Sequence, residues 1–289
     1  MLSVSVTKIV RSAVAVVAAG ALALGASACG GSSASSSSTA SSSDITQQTV
    51  TPGTLTIATG DPAYEPWVMK NKPESGQGFE AAIAYKVAEK LGFSKKNVKW
   101  TRTSFDAAIA PGAKDWDLNI QQFSVTAERK KAVDFSSSYY NDTTSVVVKK
   151  DSKYAKATSL SDLKGATVGA MVGTPAYTQA KKKINSNVQT FNDDAALAQA
   201  LDAGQIDALA TSTVESVYIV DSGQVKSAKV LGRIAGSEEP AGLGIVLPKG
   251  SKLTAKVSAA IDGMRKDGSL KTLQDKWLAQ YTTDVTELK

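Results

Sequence analysis

Arg129 stands three residues after Thr126 in the run Thr126-Ala127-Glu128-Arg129-Lys130-Lys131. Thr126 is a residue type that caps helices, which would put Arg129 in the first helical turn. A cation there opposes the helix dipole. In solvent that costs little; aimed into a cleft, the same side chain requires an anion. The planar guanidinium matches a carboxylate through two parallel hydrogen bonds. The competing reading is a solvated Arg in a charged run. Tyr64 and Trp67 flank Glu65-Pro66. Two aromatic faces at that spacing can sandwich a ligand side chain and offer a cation–π surface, or they serve packing alone. In Gly173-Thr174-Pro175-Ala176, Thr174 reads as an N-cap with Pro175 at the first helical position. The Thr174 hydroxyl and the Ala176 N–H are then donors suited to a carboxylate. A plain cap is the alternative, and both can hold together.

Other chemistries are excluded by composition. Among 289 residues there is no His and one Cys. No Ser-His-Asp triad, Cys-His nucleophile pair or His/Cys zinc cluster can be built, and no disulfide can form within the chain. No cofactor or metal is expected. The 33 basic residues are interspersed with 27 acidic ones, for a net charge of +6, which does not indicate nucleic-acid binding. No phosphate-binding Gly-x4-Gly-Lys-Ser/Thr loop is present.

The elements that must position these residues begin after a leader. Lys8 and Arg11 precede a small, apolar segment, Ser12 to Ala28, ending Ala26-Ser27-Ala28-Cys29-Gly30. This resembles a bacterial lipoprotein signal, in which Cys29 becomes the lipid-bearing first residue of the mature chain. Residues 29–50 are largely Ser, Ala, Gly and Thr, too polar and small to offset chain entropy, and read as a flexible tether. About 240 residues remain, enough for two lobes. Leu55–Ala58 reads as a buried strand. Phe79, Ile83, Val87 and Leu91 mark an amphipathic helix stopped by Gly92. Strands are predicted at 97–101 and 117–120, the latter leading into Gln121-Gln122-Phe123-Ser124. A second series follows: a strand at 167–171, the helix opened by Thr174, a strand at 188–191, a helix capped by Asn192 or Asp193 and ended by Gly204, and a strand at 206–210. Strands alternating with helices predict two parallel-sheet α/β lobes. Two similar segments, Val146 to Ser152 and Gly244 to Ser251, bracket the second series and fit a pair of hinge strands. Leu253, Val257, Ile261 and Met264, then Leu270, Leu273, Trp277 and Tyr281, form the apolar stripe of two C-terminal helices.

A set of short motifs stands in a telling order: Ile57 to Trp67, Gly78-Phe79-Glu80, Ser124-Val125-Thr126-Ala127-Glu128-Arg129, Asp134-Phe135-Ser136, Val168-Gly169 with Gly173-Thr174, and Gln205-Ile206-Asp207-Ala208. From Thr54 to about Tyr281 the chain resembles the extracytoplasmic solute-binding proteins of polar-amino-acid ABC transporters, solute-binding protein family 3. The resemblance implies an α/β, two-lobed periplasmic-binding-protein fold of type II. Lobe 1 would comprise 51–144 plus 245–289 and lobe 2 would comprise 145–244. It implies that Arg129 holds a ligand carboxylate and that Asp61 meets a cationic ligand side chain, although Asp61 also suits a turn beside Pro62. It gathers Tyr64, Trp67, Gln122, Phe123, Ser124, Thr174, Ala176 and Ser212 around the same ligand.

The chain departs from the family pattern at Ser212. The family usually carries there an Asp that holds the ligand's α-ammonium, and a hydroxyl is a weaker partner for a buried ammonium. Either Asp61, Glu65 or Glu215 supplies the charge, or the ligand has no primary ammonium. Glu80 is likewise followed by Ala81-Ala82 where many members have a second acid. The expected function is capture of a small carboxylate-bearing polar solute, without catalysis. The protein would be a monomer anchored to the outer face of the membrane and would deliver its solute to a permease and ATPase. The alternatives are an enzyme of cyclohexadienyl-dehydratase type on the same scaffold, acting on prephenate or arogenate, and a ligand-sensing surface protein.

Overall fold

The computed structural model describes residues 45–289; the leader, Cys29 and residues 30–44 of the expected tether lie outside the described residues. The last residues of that expected tether are docked. Ile45 packs against the first hydrophobic core. The Val50 N–H donates to Asp117 Oδ1 at 2.7 Å, while Thr56 N–H takes Oδ2 of the same buried carboxylate at 2.7 Å. The folded part therefore begins before Val50.

The described residues form two sheets. In chain order the strands are β1 (Leu55–Thr59), β2 (Val98–Arg102), β3 (Leu118–Asn119), β4 (Val133–Tyr140), β5 (Thr144–Lys149), β6 (Val168–Met171), β7 (Val188–Phe191), β8 (Ala208–Ser212), β9 (Ala228–Ile234), β10 (Leu243–Pro248) and β11 (Glu287–Leu288). The five-stranded sheet has the order β2-β1-β3-β10-β4, and the six-stranded sheet β11-β9-β5-β8-β6-β7. The expected parallel pairing is present in β1 with β2 and β3, and in β6 with β7 and β8. Each sheet also carries antiparallel strands: β10 beside β3 and β4, and β5 beside β8 and β9. Both sheets are therefore mixed.

The chain crosses between sheets in two short segments, 141–143 and 235–242, and a third time by a longer passage, 249–286, that leads from β10 to β11. This corrects the hinge expectation. The apolar segments at Val146 and Gly244 lie wholly inside a sheet, because buried Val146, Val147 and Val148, and Ile245, Val246 and Leu247, must pair their backbone groups. The polar residues before each strand make the crossing. A second correction concerns the chain end. Glu287–Leu288 pairs with Arg233–Ile234 in the six-stranded sheet, and Leu288 is buried in its core, so this strand departs from the lobe expected for 245–289.

The helix Phe79–Lys90, α1, buries Phe79, Ile83 and Val87 against Leu55 and Ile57 of β1, with Gly92 just past its end at φ +88°. Two C-terminal helices, Thr254–Lys266 and Ser269–Thr282, close the same core through Val257, Ile261, Met264 and Leu278. On the other sheet, Thr174 caps the helix Pro175–Lys183 and Asp193 caps the helix Asp194–Asp202, each side chain accepting an N–H of the first turn at 3.3 Å and 2.7 Å. Ser212 ends β8 and caps the helix Thr213–Asp221 by accepting the Glu215 N–H at 3.3 Å. Val214 and the partly buried Val217 of this last helix pack into the first core, so it bears on both sheets.

Candidate functional site

Between the sheets lies a cavity of about 450 Å³. That volume suits a small molecule. Residues after β1 (Asp61, Tyr64), after β3 (Gln122, Ser124), at the start of α4 (Thr174, Ala176) and at the end of β8 (Thr211, Ser212) line it, with α2, α3 and α4 denoting the helices Phe105–Ile109, Arg129–Ala132 and Pro175–Lys183. Both short crossings contribute: Asp142, Thr143 and Thr144 from the first, Glu239 and Leu243 around the second.

Arg129 is 7% exposed. Thr126 acts as expected, its hydroxyl accepting the Arg129 N–H at 3.2 Å. The guanidinium lies 5.1 Å above the Phe105 ring and donates to the Ser124 carbonyl at 2.9 Å and the Gly173 carbonyl at 3.2 Å. Its charge meets only neutral carbonyls at bonding distance. Burial pulls its pKa down, while Glu239 and Asp106 oppose that. Among the described residues, Arg129 is the sole basic residue lining the cavity, against six carboxylates: Asp61, Asp106, Asp142, Asp193, Asp194 and Glu239.

These acids differ in environment. Asp142 is 3% exposed and takes the Thr143 N–H at 2.7 Å. Burial first, then Glu239, pushes it up to about 7, and the Ser212 hydroxyl pulls the other way. Asp194 accepts from Thr211 Oγ1 at 3.1 Å, and burial raises its pKa. Burial raises Glu239 too, opposed by the Ser124 hydroxyl and Arg129. Tyr64 faces this acidic side; its hydroxyl is pushed up to about 12 by burial, Asp194 and Glu215.

One wall is set from below. Gln122 lines the cavity at φ +50°, a strained backbone for a non-Gly residue. Buried Glu80 holds it, accepting the Gln122 N–H at 2.8 Å and bonds from the Gln122 side chain and the Tyr139 hydroxyl. Burial nonetheless lifts Glu80 to about 7.

The expected site residues Asp61, Tyr64, Gln122, Ser124, Arg129, Thr174, Ala176 and Ser212 all reach the cavity. Trp67 and Phe123 do not. Trp67 is 1% exposed and packs against Phe79 and Tyr140, at centroid distances of 6.0 Å and 5.9 Å. The cis peptide Glu65–Pro66 precedes Trp67, and the Trp67 carbonyl receives the Glu80 N–H at 3.0 Å. Phe123 is fully buried against Phe105 at 4.6 Å, beneath the cavity floor. In both cases apolar area is better served in a core than beside a polar ligand. Glu65 is engaged by the Lys70 N–H at 2.8 Å and is not in the lining; Glu215 is buried beside the wall, its Oε1 without a hydrogen bond.

Asp106, Asp142, Asp194 and Glu239 were not distinguishable by sequence reasoning, because each sits in a polar connection or helix start where an acid is commonplace.

The description "Bacterial extracellular solute-binding proteins, family 3" matches residues 55–280. The L-arginine-binding protein of Pseudomonas aeruginosa is 29% identical over 233 residues, 75% of this chain and 85% of that protein. An ancestral arginine-binding protein solved with bound glutamine superposes at a TM-score of 0.64, with 31% identity, over 78% of this chain and 98% of the other. An ancestral amino acid-binding protein, AncCDT-1, described as a precursor of cyclohexadienyl dehydratase, superposes at 0.62 with 30% identity, over 78% and 95%. With its two mixed sheets, two short crossings and a cavity between them, the two-lobed type II architecture of these neighbours is also that of this protein, and the chain belongs to the bacterial extracellular solute-binding proteins, family 3.

Proposed function

We propose that this protein captures an amino acid bearing a cationic side chain and delivers it to a membrane permease driven by an ATPase. The observation that carries this reading is the charge pattern of the cavity: one buried Arg among six carboxylates. Arg129 offers its fork to the ligand carboxylate. The acids supply at least two further anionic positions, which match an α-ammonium and a side-chain cation. Tyr64 adds a cation–π face beside Asp61. The L-arginine-binding relative supports the same ligand class. Residues 45–140 with 243–286 form one lobe in this reading and 144–234 with 287–288 the other, closing on the ligand about the two short crossings. Cys29 carries a lipid that holds a monomer at the outer face of the cell membrane.

Titration calorimetry against a panel of L-amino acids, with L-arginine, L-lysine, L-glutamine and L-cystine included, tests the ligand class. Binding of Arg or Lys far above the neutral members is the expected result, with a smaller radius of gyration in solution scattering. Preference for acidic or apolar members would overturn it.

A second reading has two observations in its favour. The neighbour described as a dehydratase precursor shares the architecture, and Asp142 and Glu239 are cleft carboxyls raised by burial, as a general acid must be. Turnover of prephenate or arogenate would establish it.

A further inference from the structure

Asp142 lies between β4 and β5, in the first crossing, and is nine-tenths buried while still lining the cavity. Its protein partners are the Thr143 N–H at 2.7 Å, the Ser212 hydroxyl and the Thr213 N–H, all neutral donors. Among the described residues it makes no ion pair with a Lys or Arg. The groups around it add negative charge or none: Glu239 from the second crossing, Glu215 from the helix after β8, Tyr139 and Tyr140 from β4, Ser212 from β8. A carboxyl buried at such a place stays ionised well below neutral pH only when a cation joins it, and the side of Asp142 that lines the cavity is where one can enter.

Ser212 occupies the position from which the ammonium would ordinarily be bound, and its Oγ is already spent: it accepts the Glu215 N–H and faces Asp142. Glu239 is charge-coupled to Arg129 on one side and to Asp142 on the other, and its N–H donates to the Asp142 carbonyl at 3.1 Å. Arg129 and Asp142 thus flank one side chain, the closeness that a carboxylate and an ammonium on a single α-carbon require. We infer that Asp142, in the first interlobe crossing, is the residue that binds the ligand's α-ammonium, with Ser212 positioning its carboxylate. The negative charge has moved from the end of β8 to the hinge. Ammonium binding and interlobe geometry are therefore joined in one residue. The assignment rests on the amino-acid reading above.

The test uses wild type, Asp142→Asn, Asp194→Asn, Ser212→Asp and the double variant Asp142→Asn/Ser212→Asp. Calorimetry is run with L-arginine, the rest of the L-amino-acid panel, and 5-guanidinopentanoate, which is arginine without its α-ammonium. Asp142→Asn should weaken the preferred amino acid by about a hundredfold or more. The same variant should bind 5-guanidinopentanoate within about threefold of wild type, which also reports an intact fold. The double variant, with the acid restored at 212, should regain amino-acid binding. Should Asp142→Asn not fold, Ser212→Asp decides. An affinity unchanged or weakened supports Asp142 as acceptor already in place; a gain of about a hundredfold overturns it. Amino-acid affinity retained in Asp142→Asn, or lost only in Asp194→Asn, also overturns the assignment while leaving the amino-acid reading standing. A wild type that binds no panel member overturns both.

Discussion

Arg129 Nη2 donates to the Gly173 carbonyl at 3.2 Å, so a side chain positioned by the five-stranded sheet reaches the turn between β6 and the helix capped by Thr174. Without a ligand carboxylate, the guanidinium spends its donors on two carbonyls, one from each side of the cavity. The Thr174 hydroxyl gives its proton to the Met171 carbonyl at 2.7 Å, so in the proposed function a carboxylate at Arg129 meets the first-turn N–H of Ala176 rather than that hydroxyl. In the proposed function the bound anion would replace a neutral contact across the cleft by a charge-assisted one, which would favour a closed arrangement.

Arg129→Met keeps length and removes charge. Leaving a ligand carboxylate buried and unpaired costs on the order of 2–5 kcal/mol, roughly 30-fold to several-thousand-fold in affinity. Calorimetry should show that loss, with circular dichroism unchanged. Near-native affinity would remove the carboxylate-binding role.

Affinity for a cationic amino acid should depend on pH through Asp142. In the free protein it titrates at about 7, held up by burial and by Glu239. A bound ammonium favours its ionised form, so binding releases a proton below that value. Affinity should rise between pH 6 and about 7.5 and level off above, and the rise should be absent in Asp142→Asn. Calorimetry in buffers of different ionisation enthalpy reads the proton release directly.

Stability of the ligand-free protein should run the opposite way. Glu80 titrates at about 7 in the fold against an ordinary 4.5, so between those values the native state binds more protons than the unfolded chain. Its contribution is undiminished below pH 4.5 and is lost as pH rises to 7, by roughly 3 kcal/mol at most. Asp142 and Asp194 act in the same sense. Glu80→Gln should flatten the fall in Tm between pH 5 and 8 and keep the amide contacts to Gln122. An unaltered pH slope would show that Glu80 is ionised throughout.

Trp67 and Tyr64 should separate stability from affinity. Trp67→Ala removes a buried aromatic and should cost about 3–5 kcal/mol in denaturant unfolding. Trp67→Phe, which preserves most of the packing, should leave ligand affinity within about threefold, since the ring is outside the cavity. Tyr64→Ala should do the reverse, with little change in Tm and about tenfold weaker binding of a cationic ligand. A large affinity loss in Trp67→Phe would contradict the structure.

Cys29→Ser should abolish lipid attachment in a host that processes lipoproteins. Fractionation should find the protein in the medium or as an uncleaved precursor. Membrane association equal to wild type would dismiss the anchor.

Much of this protein is determined locally. The period of Phe79, Ile83, Val87 and Leu91, the stop at Gly92, and the caps Thr174 and Asp193 are set by a few neighbouring residues, and each element stands within one or two positions of its sequence expectation. Arg129 was legible for a similar reason: Thr126 captures its N–H three residues away. Tertiary structure decided what depends on distant chain. Trp67 and Tyr64 are three residues apart with the same chemistry, yet only the packing of Phe79 and Tyr140 takes Trp67 into the core and leaves Tyr64 at the cavity. Strands β4 and β9 and the mixed pairing around β5 and β10 are long-range hydrogen-bond choices that no local pattern carries. The acids of the cavity are the strongest case. Asp142 and Glu239 are nearly a hundred residues apart in unremarkable polar connections; they become one site because both connections cross between the same two sheets, and burial there turns commonplace acids into binding groups.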